Sequence, residues 1–342
     1  MKRRDRRWVA AGALLSLGVV AGVAVVVAVT TSGLQRVDDD TASARDHLGL
    51  PPAGDAAGPS GGAAAAGPAD ASTFLVVGSD GDVGRDGQRA DVLLLVRLPA
   101  SGGRAVMVSL PRDLWVDDLC HGGRQRINAA LNGCGEAVTG PQLTMLTVER
   151  VTGWPVDHYV GIGFDGFVEV VDAVGGMEIC NDHPVRDRMV DLELPAGCVL
   201  ADANQTLAWI RSRMTEEQVD GRWRTMPGVN DLARNTRQQD LLLQVVGEVA
   251  EVRSPATLRR LTAQLSDSVT LGNSLGLDEL LSLAGQAREL GGDRVVRGEV
   301  PVRSHVTSGG AQVLLPDGDL RALFAELAAG ANGDDAVAGS RP

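Results

Sequence analysis

A mostly apolar run of 21 positions near the amino terminus carries no charge, VAAGALLSLGVVAGVAVVVAV (9–29), directly after the basic stretch KRRDRRW (2–8). A helix rising about 1.5 Å per residue covers about 30 Å over that length, the hydrocarbon thickness of a bilayer. Five Lys and Arg residues precede the run and few follow it. That asymmetry puts residues 1–8 in the cytoplasm as a basic tail, residues 9–30 in the membrane as a signal-anchor helix, and the rest of the chain outside. A cleaved signal peptide is the competing reading; the run is long for one, and no clean A-x-A site follows it. Either way the remainder is exported.

Beyond the anchor the pattern changes twice. Residues 31–72, with PPAGDAAGPSGGAAAAGPAD at their centre, show no apolar period and read as a flexible linker. From 73 to 330 short apolar, β-branched runs alternate with helical spacing. FLVVG (74–78), VLLLVRL (92–98), AVMVSL (105–110), HYVGIG (158–163), MEIC (177–180) and VVRGEVPV (295–302) read as strands. Helices are expected over 141–152, where Pro141 suits the first turn, and over 164–176, which glycines close. Others are expected over 204–213, 230–251, 255–265, 277–290 and 319–330. This alternation predicts a single α/β domain, an α/β/α sandwich around a mixed, twisted central sheet. Residues 331–342 read as a disordered tail.

Composition narrows the function. The 342 residues carry a net charge of −12 and only 3% aromatics, which argues against a nucleic-acid surface or base stacking. The four cysteines, Cys120, Cys134, Cys180 and Cys198, form no C-x-x-C pair and flank no histidine pair at zinc spacing. An even count in an exported chain suggests two disulfides, with 120–134 and 180–198 the natural local pairs. No G-x-S-x-G, Walker lysine or H-E-x-x-H motif is present, and the five histidines are scattered. His158, at a strand start, is expected to pack or hydrogen-bond rather than catalyse.

The candidate chemistry sits at element ends. Asp80 follows the first strand and Asp91 opens the second, so the glycine-rich turn between them can bring both to one sheet edge. Two carboxylates there could share Mg²⁺ and leave positions for phosphate oxygens; turn and cap chemistry would favour the same residues. Arg112 and Asp113 follow the third strand, Arg126 precedes INAA, and Arg211 and Arg213 end NQTLAWIRSR. Arg234 and Arg237 share a helix face with Gln238 one turn from Arg234. A guanidinium offers a planar fork of donors that fits phosphate oxygens. Any one of these arginines alone reads as a surface ion pair; several, with one or two acids, suit a pyrophosphate.

In order, FLVVGSD, RADVLLLV, VMVSLPRD, RINAA, VTGWPVDHYVGIGFDGFVEVVDAVGGMEIC, LPAGC, NQTLAWIRSR and ARNTRQQDLL resemble the LytR–CpsA–Psr family of bacterial envelope proteins over roughly residues 73–250. The resemblance implies an enzyme, a phosphotransferase that moves a glycopolymer from a polyprenyl-pyrophosphate carrier to peptidoglycan. The acceptor it implies is the C6 hydroxyl of muramic acid, joined through a phosphodiester. It implies Asp80 and Asp91 as holders of Mg²⁺ or another divalent cation. Arg112, Arg126, Arg211, Arg213, Arg234, Arg237 and Gln238 would bind the pyrophosphate, with Arg112, Asp91, Arg211 and Arg213 the catalytic set. The partners it implies are the lipid-linked glycan, the peptidoglycan acceptor and the cytoplasmic membrane. Two departures stand out: Ala233 replaces a usual glycine, and 214–230 forms a long link that suggests a lid or acceptor-side loop. A polyprenyl-pyrophosphate hydrolase and a non-catalytic, anchored lipid-glycan binder are the alternatives.

Overall fold

The computed structural model describes residues 35–52, 71–79, 89–99, 103–227, 237, 240, 241, 244, 269–275 and 295–332. The expected membrane helix over 9–30, Asp80, Arg234, Gln238, the helices over 255–265 and 277–290, and most of 230–251 lie outside these residues. No helix among the described residues is long and apolar enough to cross a membrane.

In chain order, Gln35–Val37 forms β1 and Thr41–His47 forms α1. Then come β2 (Ser72–Ser79), β3 (Ala90–Leu98), β4 (Ala105–Ser109), β5 (Trp115–Asp117) and β6 (Arg124–Arg126). A 3-10 turn over Ile127–Asn132 leads to α2 (Gly140–Thr152), β7 (His158–Gly163), α3 (Phe164–Val174) and β8 (Met177–Asn181). β9 (Val185–Asp187), β10 (Leu192–Leu194), β11 (Gly197–Ala201), α4 (Ala203–Arg211), β12 (Glu216–Val219) and β13 (Arg222–Thr225) follow. β14 (Val269–Gly272), β15 (Val295–Glu299), β16 (Val302–Val306), β17 (Gln312–Pro316) and α5 (Leu320–Asn332) complete the set.

The chain groups into two compact units. One is built mainly from residues 36–161, 271–275 and 294–342, the other mainly from 162–270. The first carries most of a mixed seven-stranded sheet, ordered β1-β14-β7-β2-β3-β4-β15. β2, β3 and β4 pair antiparallel, and β15 joins β4 in parallel. Leu75, Val77, Leu93, Leu95, Val106 and Val108 pack against Met145 and Val148 of α2 and Phe324 and Ala328 of α5. The alternate residues Phe74, Leu94 and Met107 are equally buried. A strand covered on both faces needs no polar alternation, which is why VLLLV reads as a continuous apolar run. Each such side chain contributes about 1.5–3 kcal/mol of burial. A capping box between Thr139 and Gln142 opens α2, and left-handed Gly153 ends it.

The linker expected over 31–72 is folded in its first half. Arg36 Nη1 donates to the carbonyls of Gly272 (3.0 Å) and Leu275 (2.7 Å). Buried Asp39 accepts from the Ser274 amide (2.9 Å) and hydroxyl. A Cβ on Gly272 would fall 1.7 Å from Asp39 Oδ2, so glycine is required there. Arg45 of α1 forms an ion pair with Glu149 of α2. Burial raises the Glu149 carboxyl above its ordinary value, against the Val156 amide and Arg45, which lower it. Polar anchors hold this segment, so a search for apolar period passes over it.

Two further differences concern strands. The link over 214–230 contributes β12 and β13 to a four-stranded sheet, β10-β9-β12-β13, of the second unit. The strand expected over 295–302 ends at Glu299, and a separate hairpin of β16 and β17 begins at Val302. Pro301 separates them, since it has no N–H to continue a ladder. The disulfides are Cys120–Cys134 and Cys180–Cys198, the second joining facing positions of β8 and β11.

Candidate functional site

The β3–β4 ladder pairs Leu94 with Ser109, and the Leu110 amide extends it by donating to the Leu93 carbonyl at 2.8 Å. Continued two residues, that register sets Arg112 opposite Asp91. Pro111 then lacks a donor and the chain turns, with the Leu114 amide on the Pro111 carbonyl at 2.9 Å. The side chains meet as the register demands: Arg112 Nη1 forms an ion pair with Asp91 Oδ1. Asp113 lies between two arginines, 3.6 Å from Arg112 Nε and 3.2 Å from Arg126 Nε. Arg126, on β6, also donates through Nη2 to the Gln312 carbonyl at 2.8 Å. Both Nε–H groups are buried and make no hydrogen bond: Asp113 lies too far from Arg112 Nε, and its ion pair with Arg126 Nε forms none. The two guanidinium groups therefore hold donors aimed at no acceptor, in a cluster whose side chains are still 18–34% exposed.

In the other unit, Asp202 and Gln205 form a capping box that starts α4, and extended Ser212 (φ −61°, ψ 128°) ends it. Extended backbone alternates its side chains, so Arg211 and Arg213 face out and Ser212 faces in. Beneath them sits Asp187, 2% exposed. Its Oδ2 accepts from Ser212 Oγ (2.7 Å) and from the amides of Arg213 (3.2 Å) and Met214 (3.0 Å). Its Oδ1 accepts from the Met189 amide (2.9 Å). Burial alone would raise this carboxyl; the Ser212, Met214 and Met189 hydrogen bonds and the Arg237 charge outweigh it and hold Asp187 below its ordinary value. The Arg211 guanidinium lies 4.7 Å from the centre of the Phe164 ring.

Arg237 belongs to the same turn. It stacks over Trp209 at 4.7 Å and donates to the Trp209 carbonyl (3.3 Å), Thr215 Oγ1 (3.3 Å) and the Ser212 carbonyl (3.1 Å). Among the described residues expected to bind pyrophosphate, it is the one whose guanidinium holds the backbone after α4. The structure thus brings together Asp91, Arg112 and Arg126 in one unit, and Arg211, Arg213 and Arg237 in the other. Asp80, Arg234 and Gln238 lie outside the described residues.

Asp113 and Asp187 were not assigned roles from sequence. Asp113 is visible in LPRD as the neighbour of Arg112, but its bridge to Arg126 needs the fold. Asp187, in PVRDR, looks like any surface acid between arginines. Asp91 fits a hard cation: its carboxylate is 23% exposed, and Mg²⁺ takes one or two carboxylates beside phosphate oxygens. Among the described residues, the one trio of potential ligands close enough to share an ion is Glu178, Cys180 and Cys198, and its sulfurs are joined in a disulfide. His158 Nδ1 lies 2.9 Å from Ser274 Oγ and its ring packs on Phe74, a structural place.

The LytR_cpsA_psr family model matches residues 63–328. The chain is 33% identical over 182 residues to the probable cell wall biosynthesis protein LcpB of Corynebacterium glutamicum, covering 53% of this chain and 38% of that protein. It is 30% identical over 214 residues to the polyisoprenyl-teichoic acid–peptidoglycan teichoic acid transferase TagU of Enterococcus faecalis, covering 62% of this chain and 64% of that one. These matches span less than two thirds of either relative. A LytR-Csp2A-Psr enzyme from Actinomyces oris shares the fold with a TM-score of 0.58 at 27% identity, over 77% of this chain and 92% of its own.

Proposed function

The chain belongs to the LytR–CpsA–Psr family, and we propose that it is a membrane-anchored, extracytoplasmic phosphotransferase that joins a glycopolymer to peptidoglycan. The donor is a polyprenyl-pyrophosphate-linked glycan and the acceptor the C6 hydroxyl of muramic acid. The acceptor oxygen forms a bond to the glycan-side phosphorus, and the bridging P–O bond breaks. Polyprenyl phosphate leaves, and the product is a phosphodiester.

The observation that carries this reading is the pair of buried, acceptor-less Nε–H groups of Arg112 and Arg126. An anion with several oxygens satisfies both at once, which Asp113 alone does not. Pyrophosphate takes the place of Asp91 opposite Arg112; the freed carboxylate would hold Mg²⁺ with Asp80 while the acceptor proton passes to water, and receiving that proton is its alternative role. Arg211 and Arg213 face outward from a turn fixed by Asp187 and Arg237, and offer a second set of phosphate donors in the other unit. Mg²⁺ held by Asp91 with Asp80 would supply further neutralisation of the phosphate oxygens.

The deciding experiment gives the full chain in detergent a polyprenyl-pyrophosphate glycan, Mg²⁺ and peptidoglycan fragments. Glycan becomes covalently attached to the fragments, and Asp91→Ala abolishes attachment. Lipid phosphate released with no attached product would replace the transferase with a hydrolase. Binding without turnover would leave a carrier-lipid receptor.

A further inference from the structure

A pocket of about 250 Å³ opens between the β5–β6 hairpin, the last turn of α2 and the start of α5. Its lining includes Trp115, Asp117, Arg124, Arg150, Asp319 and Arg321. Three guanidinium groups face two carboxylates, an excess of one positive charge in a chain of net charge −12. Several of these groups are committed. Asp319 Oδ1 accepts from the amides of Arg321 (2.9 Å) and Ala322 (3.4 Å) at the start of α5. Arg321 Nε and Nη2 lie on the Arg150 carbonyl at 3.3 and 3.1 Å. Arg124 Nη2 donates to the Trp115 carbonyl.

Arg150 and Asp117 differ from the rest. Both are exposed, and no hydrogen bond or ion pair engages either side chain among the described residues. Trp115 is half-buried and lines the same space. The pocket thus offers an indole, a carboxylate acceptor, and a guanidinium whose planar fork no described residue engages. An indole suits the C–H face of a pyranose, a carboxylate accepts sugar hydroxyls, and a guanidinium pairs with a carboxylate in two parallel hydrogen bonds. The volume is below the ~300–1,000 Å³ of drug-sized sites and matches a single sugar. One excess positive charge is balanced by a monocarboxylate; a phosphate would bring a second negative charge toward Asp117.

We propose that this pocket binds a sugar ring bearing a carboxylate, stacked on Trp115 with its acid on Arg150. The pocket shares no residue with the cluster assigned to the transfer; the two sources of such a sugar rest on the proposed function, whereas binding of the acid sugar itself does not. The pocket's place gives it meaning for the transfer, because Arg124 and Arg126 lie two residues apart on the same face of β6, about 7 Å along the strand. A sugar in the pocket is one residue of a chain that passes Arg126. Two sources carry this chemistry: a muramoyl residue with its lactyl carboxylate, or a uronic acid of the glycopolymer.

Saturation-transfer NMR on the full chain in detergent micelles, with N-acetylmuramic acid, glucuronic acid and N-acetylglucosamine as probes, tests it. One or both acids receive saturation, N-acetylglucosamine binds at least about tenfold more weakly, and Arg150→Gln weakens the acid by about tenfold, the loss of one charge-assisted pair. Trp115→Leu removes the transfer to the ring protons. Preference for N-acetylmuramic acid assigns the pocket to the wall acceptor, and preference for glucuronic acid to the donor polymer. Equal binding of N-acetylglucosamine, no saturation of any probe, or an Arg150→Gln variant that binds as the parent does overturns the proposal. The readout contains no transfer step, so it is separate from the fate of the phosphotransferase reading.

Discussion

The two arginine groups are built on opposite plans. Arg112 and Arg126 face Asp91 and Asp113, so their charges are balanced at rest. Arg211 and Arg213 face outward, and the carboxylate beneath them, Asp187, is occupied with Ser212 and three backbone amides. In the first group acids would compete with an incoming anion for the guanidinium donors. In the second the acid fixes the backbone, and among the described residues no carboxylate pairs with Arg211 or Arg213. On the proposed function an anion would have to displace a partner to reach Arg112, making that group selective. At Arg211 and Arg213 it would displace no described carboxylate, making that group a recruiter. Outward arginines on fixed backbone are also the more exposed to salt screening.

The largest effect expected from this contrast is at Arg112. Arg112→Ala should lower glycan transfer by at least about 100-fold, the scale of losing one preorganised donor to developing charge. Arg112→Lys should not restore it, because an ammonium cannot reproduce a planar fork against two partners. Transfer assays with circular dichroism as the folding control check both. A lysine variant with near-parental activity would mean that charge alone matters and that the register-set geometry does not.

Asp187 comes next, and its effect divides between stability and binding. Asp187→Asn keeps the shape but loses the charge and part of the acceptor capacity, and should cost about 2 kcal/mol of unfolding free energy. The pH dependence has a definite sign. A carboxyl held below its ordinary value in the folded state is protonated more readily when unfolded. Its contribution is therefore fully present above the ordinary carboxylate value and is lost as pH falls through the lower folded value. Denaturant titrations at several acid pH values should show this slope in the parent and a shallower one in Asp187→Asn. Because Asp187 sets only the backbone under Arg213, the donor KM should rise more than kcat falls. A fall in kcat with KM unchanged would place Asp187 in the chemistry itself and erase the distinction between the two groups.

Legibility in the sequence followed the same division. The strands around VLLLV and VMVSL were visible because two-faced burial leaves a continuous apolar run, and the sum of their register places Arg112 against Asp91. Arg211 and Arg213 were visible as a motif, but the reason they face outward was not. It lies in Asp187, 24 residues before Arg211, in a stretch with no period to mark it. The segment from Arg36 to Arg45 was hidden for a related reason: it is held by Asp39 on Ser274 and by Arg45 on Glu149, and buried polar pairs leave no trace in an apolar pattern. Apolar periodicity reports burial, whereas a buried carboxylate that organises a turn is identical in sequence to one on the surface.

The smallest effect, and the finest discrimination, is at Phe164. The Arg211 guanidinium rests 4.7 Å from its ring centre, and an exposed contact of this kind contributes about 0.5–1 kcal/mol. Phe164→Leu keeps most of the apolar bulk at the start of α3 and removes the π face. Arg211 then samples more orientations before binding, which raises the donor KM by roughly two- to fivefold. It leaves kcat unchanged, since the bound anion fixes the guanidinium once it is in place. The counterpart in the first group is Asp113→Asn, which removes a competitor rather than a support and should lower the donor KM while costing little stability at a partly exposed position. Opposite signs at Phe164 and Asp113 would establish recruitment by one group and selection by the other; the same sign at both would show a single electrostatic surface in which the local partners of each arginine are immaterial.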